Sequence, residues 1–79
     1  MVLLFYNDIT RRRGMNLARL KELRVEKKFT QQQLSTAIGI TFKTYSKKEN
    51  GHRDFTISEF EKICFVLDIE PSELLEIKL

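Results

Sequence analysis

One cysteine, one proline and one histidine are all that this chain of 79 residues holds of three types that often carry structure or chemistry. A single thiol, Cys64, excludes an intrachain disulfide, and no cysteine–histidine cluster offers a metal site. Cys64 reads as a small buried core residue. Proline is scarce and strand-like alternation is nearly absent, so helices are expected. His52 is the lone histidine, and acid–base catalysis needs a positioned partner and a cleft. No Gly-rich phosphate cradle appears, and the carboxylates of the second half are scattered as on solvated helix faces. The chain therefore reads as a non-enzyme with no metal and no cofactor. No stretch approaches the roughly 20 apolar residues of a membrane span. The opening run Val2 to Tyr6 is too short for a signal-peptide core, and its charges follow it instead of preceding it. The cytoplasm is the expected compartment, with no membrane partner.

What is present suits one small soluble domain: 42% apolar and 32% charged residues. The net charge of +3 hides an uneven distribution. Residues 1–53 carry 12 Lys/Arg against 4 Asp/Glu, a balance of +8, and residues 54–79 carry 2 against 7, a balance of −5. A basic front and an acidic back fit one face meant for a polyanion, or a solvated charge bias.

From Leu17 onward apolar residues recur at helical spacing: Leu17, Leu20, Leu23; Leu34, Ala37, Ile38; Ile57, Phe60, Ile63, Cys64, Leu67. Thr30, Thr41 and Thr56 each sit where a helix N-cap belongs. Gln33 and Glu59 complete capping boxes for the first and last of these. The pairs Phe29/Leu34, Ile40/Tyr45 and Phe55/Phe60 form hydrophobic staples around all three. Gly39 and Gly51 suit the left-handed residue after a helix, and Pro71 suits a first turn. The spacing predicts five helices, at about 16–27, 31–38, 42–50, 57–67 and 71–76. Residues 15–79 are expected to form the domain. Residues 1–14 are expected to be an extension dispensable for the fold: a leader, a strand that pairs with a second subunit, or a basic arm.

The predicted helix 42–50 shows what the basic front is for. Tyr45 and position 48 point to one side. Lys43, Ser46, Lys47 and Asn50 form a stripe on the other, with two cations, a hydroxyl, an amide and no acid. Such groups contact phosphate oxygens and base edges in a major groove. The joint Gly39, Ile40, Thr41 is a three-residue turn between two short helices, the spacing of a helix-turn-helix.

These pieces, "FTQQQLS", "GIT", "ENG" and "LDIEPSELL", lie in register with one another. Residues from about 17 to 75 resemble the phage repressor and Cro type of helix-turn-helix domain, the xenobiotic-response-element family. The resemblance implies a compact five-helix all-α fold and sequence-specific binding of double-stranded DNA. It also implies a homodimer acting as a transcriptional repressor on a palindromic operator. Carried over residue by residue, base reading falls on Phe42, Lys43 and Lys47, with Thr41 and Thr44 beside them. Phosphate contacts fall on Gln31 and Asn50. His52 and Arg53, in the turn that follows, read as solvated residues or phosphate contacts, and Arg53 joins the DNA-binding set. The resemblance further implies a buried ion pair, Arg24 with Glu49, tying the first helix to the end of the recognition helix. Two positions depart from the pattern. Phe42 stands where polar readers are common; its ring either packs on a thymine methyl group or folds back on Tyr45. Lys48 stands where an apolar residue is usual, and its stem is expected to cover the core edge with the ammonium in water.

The alternative function is an antitoxin-like or other partner-binding module with autoregulatory DNA binding. The tail Leu74 to Leu79 is the first expectation for a dimer or partner interface, and Val2 to Tyr6 the second. RNA is the weaker ligand, because no aromatic stacking platform on a sheet is apparent.

Overall fold

The computed structural model describes residues 15–75. Helix α1 is Leu17–Glu26, α2 is Gln31–Ile38, α3 is Phe42–Glu49 and α4 is Ile57–Leu67, followed by a 3₁₀ turn at Pro71–Glu73. The elements start where hydroxyl and amide caps put them. Thr30 accepts from the backbone N–H of Gln33, Thr41 from that of Thr44 and Thr56 from that of Glu59, and the Gln33 and Glu59 side chains return the bond to their caps. Asn16 caps α1 by accepting from the Arg19 N–H at 3.0 Å. That start carries no Glu or Gln at the third position, which is why no capping box marks it in the sequence.

The helix ends depend on left-handed residues. Gly39 (φ 83°) and Gly51 (φ 86°) close α2 and α3. After α3 the His52 N–H reaches the Lys47 carbonyl and the Gly51 N–H that of Lys48, so two orphan carbonyls are satisfied in the turn that reverses the chain. Lys28 (φ 66°) and Asp68 (φ 55°) do the same after α1 and α4.

The core is a single cluster of Leu20, Leu23, Leu34, Ile38, Tyr45, Phe55, Phe60, Ile63, Cys64, Leu67 and Leu74, with Met15 at its rim. All three staple pairs belong to it or pack on it. Helix α2 packs against both α3 and α4, and α1 against α3. Two positions on α2 differ from the periodic reading: Ala37 is exposed and Ser35 is buried. The Ser35 hydroxyl donates to the Gln32 carbonyl at 2.8 Å, which satisfies it inside the core.

The fifth helix expected at 71–76 is not formed among the described residues; four α-helices and the 3₁₀ turn are. Pro71 does open the turn, but Leu74 is drawn fully into the core. Its carbonyl accepts from the Asn16 N–H at 2.8 Å, and Leu75 forms an antiparallel bridge with Met15. This closure takes the backbone away from helical pairing. It also removes Leu74 from the tail expected to dimerise, since its side chain is used within the monomer. Leu75 of that tail is half-buried, and its remainder, 76–79, with residues 1–14, including Val2 to Tyr6, lies outside the described residues.

Candidate nucleic-acid interface

Helix α3 has two unlike sides. Tyr45, Lys48 and Glu49 are buried; Lys43, Lys47 and Asn50 are exposed, with Ser46 half-buried between them. Thr41, Phe42 and Arg53 are exposed and Thr44 is half-buried. The expected DNA-binding residues thus lie along the outer side of α3 and the turns at its two ends. Gln31 stands apart, at the first position of α2.

Inside, one carboxylate holds three helices together. Glu49 has no exposed side-chain surface. Its Oε1 accepts from Arg24 Nε at 2.9 Å and its Oε2 from Arg24 Nη2 at 3.2 Å, the two parallel bonds that fix a guanidinium against a carboxylate. Arg24 Nη1 donates to the Phe29 carbonyl at 2.8 Å, binding the guanidinium to the turn before α2. Gln31 Nε2 donates to Glu49 Oε2 at 2.9 Å, and the Tyr45 hydroxyl donates to Oε1. Burial alone would raise the Glu49 carboxyl. Hydrogen bonds from Arg24, then Tyr45 and Gln31, together with the Arg24 charge, outweigh it and hold the group below its ordinary value. Burial, followed by the hydrogen bond to Glu49, drives the Tyr45 phenol far upward, so it stays a donor.

Sequence reasoning missed two parts of this site. The Tyr45 bond to Glu49 was signalled by i, i+4 spacing on one helix face. The side-chain bond from Gln31 to Glu49 spans 18 positions and has no local signal; it turns inward an amide expected to face a phosphate.

Lys48 also differs from expectation. Its ammonium is not in water but donates to Glu59 Oε1 at 2.6 Å, with both side chains largely shielded. The same Glu59 oxygen accepts from the Thr56 N–H at 3.0 Å, so the capping box of α4 is also the anchor of α3. The Lys48 ammonium stands 6.0 Å from the centroid of the Phe55 ring, and that ring tilts 59° against Tyr45 at 5.7 Å. A separation of 11 positions, across the turn between two helices, hides the Lys48–Glu59 pair from any helical pattern.

At the outer end, the Thr41 hydroxyl donates to Thr44 Oγ1 at 2.9 Å and accepts from the Thr44 N–H. The Asn50 amide lies 3.4 Å from Ser46 Oγ. Phe42, the first residue of α3, is 46% exposed. It does not fold back into the core: Tyr45 is fully buried, and its ring partner is Phe55.

A family model described as helix-turn-helix matches residues 20–74. The crystal structure of the restriction-modification controller protein C.AhdI from Aeromonas hydrophila matches with a TM-score of 0.67 at 33% identity, over 72% of this chain and 86% of that one. Among curated proteins, none matches.

Proposed function

The chain belongs to the helix-turn-helix family of phage repressor and Cro type, and on that footing we propose that it is a dimeric repressor that reads the major groove of a palindromic operator with α3. Membership makes it a non-enzymatic, sequence-specific DNA-binding regulator of transcription. The observation that carries the finer reading is the outer stripe of α3, where Lys43, Ser46, Lys47 and Asn50 stand without an acidic neighbour on a helix braced from behind.

In this reading Lys43 and Lys47 reach base edges and flanking phosphates. Thr44 lies beside them with its hydroxyl proton free to donate, while the Thr41 proton is held by Thr44. Asn50 and Arg53 touch phosphate from the turn after α3. Gln31 offers its backbone N–H: it is the first residue of α2, where N–H groups have no partner within the helix and the dipole favours an anion. Its side chain, bonded to Glu49, keeps that helix end in register with α3.

The experiment is selection of bound duplexes from a random pool, followed by a salt titration on the selected site. The expected site has two half-sites about one helical turn apart. Lys43→Ala with Lys47→Ala should abolish tight binding at moderate salt, and removing a cation that neutralises one phosphate should lower the log–log salt slope by about 1. A double variant that binds as well as the parent would remove α3 from the interface.

A second reading, a module that also docks a partner protein, rests on Phe65, which is 86% exposed on α4. We assign this face to a second copy of the chain, because half-sites related by a two-fold axis require one.

A further inference from the structure

The first residue of α3 carries a phenyl ring into solvent at the end of a polar helix side. A single exposed apolar side chain is ordinary on a protein surface, so exposure alone decides nothing. Three further observations do. The ring does not stack on Tyr45 of its own helix, which is fully buried with Phe55 as its ring partner. The neighbouring Thr41 gives its proton to Thr44 and offers no donor beside the ring. And a phenyl ring has no donor or acceptor with which to read the polar edges of a base pair. In the major groove the apolar group on a base edge is the 5-methyl of thymine, and 5-methylcytosine presents the same group at the same ring position.

We propose that Phe42 is a specificity-determining residue that reads the 5-methyl group of a pyrimidine in the major groove, that of thymine or of 5-methylcytosine. The inference rests on α3 being the recognition helix. Because the ring cannot sense whether O4 or an amino group lies beside the methyl, it makes binding respond to cytosine methylation at that position.

The test uses the full chain and the duplex selected from the random pool. Each thymine of a half-site is replaced in turn by deoxyuridine, which removes the methyl and nothing else. One position per half-site should weaken binding about fourfold, the worth of one methyl taken out of water. Phe42→Ala should bind the thymine and deoxyuridine duplexes equally. At that same position, cytosine and 5-methylcytosine should differ by the same factor for the parent and not for Phe42→Ala. Phe42→Gln, assayed beside it, should also lose the methyl effect while keeping affinity for the flanking bases. If no thymine is sensitive in the parent, or if both variants keep the sensitivity, the assignment of Phe42 is overturned. Loss of the α3 reading itself would show separately, as binding that survives Lys43→Ala with Lys47→Ala.

Discussion

Glu49 stays ionised out of contact with water because four donor groups from three helices converge on its two oxygens. Its stability contribution has a defined pH range. The folded carboxyl lies below the ordinary value of 4.5, so between the two values the unfolded chain binds the extra proton. The contribution is complete above about pH 4.5 and is lost as pH falls through the folded value. Tyr45 sets the other limit: its folded value is raised above 10.0, so its contribution is complete below about pH 10 and is lost above it. Urea midpoints of the parent should therefore fall at both ends. Glu49→Gln should lower the midpoint near neutrality and flatten the acid fall, and an unchanged acid slope would refute the role given to Glu49. The Arg24–Glu49 pair was legible only through resemblance to a family. The Tyr45 bond was legible from spacing, and the Gln31 bond from neither, because it joins residues that only folding brings together.

At the scale of elements, most of the fold was written locally. Three threonine caps with their staples set the starts of α2, α3 and α4, and Gly39 and Gly51 set the ends of α2 and α3, each from residues close to one another in the chain. What was not legible depends on distant partners. Leu74 and Leu75 turn from helix to closure because Met15 and Asn16 lie across from them. Lys48 is inside because Glu59 meets it there. The Lys48–Glu59 pair fixes α3 to the start of α4, and a pair so shielded adds little net stability over an apolar residue, whereas leaving one partner alone is costly. Lys48→Met combined with Glu59→Gln, which replaces both charges and keeps an acceptor for the Thr56 N–H, should thus stay within about 1 kcal/mol of the parent. Glu59→Gln should cost about 1–3 kcal/mol, since the ammonium loses its counter-charge. Equal losses in urea denaturation would mean that the pair itself is a net stabiliser.

At the scale of the whole fold, the described unit, residues 15–75, presents one α3 to DNA in the proposed reading. Its long axis is 32 Å, and α3, with 8 residues, is about 12 Å long at the helical rise, enough for one major groove. A two-fold operator of the kind proposed has half-sites about 34 Å apart, and reading both would take a second copy with a second α3. Among the described residues the large apolar side chains left most exposed are Phe65, Val25 and Phe42, at 86%, 63% and 46%. Phe42 stands on α3 and Val25 in the last turn of α1; in the proposed dimer Phe65 on α4, the most exposed of the three, is the anchor of the two-fold contact, with half-buried Val66 and Ile69 close to it in sequence. A carboxylate there would be repelled by its own image across the axis and would remove a buried ring. Phe65→Asp should leave the fold intact, because the ring supports nothing within the monomer's core, yet shift sedimentation toward monomer. It should also weaken binding to the two-half-site duplex far more than to an isolated half-site. The salt slope on the full operator should fall by half, because only one half-site's phosphates are then neutralised. A Phe65→Asp chain that sediments as the parent does, with the same slope, would move the interface away from α4.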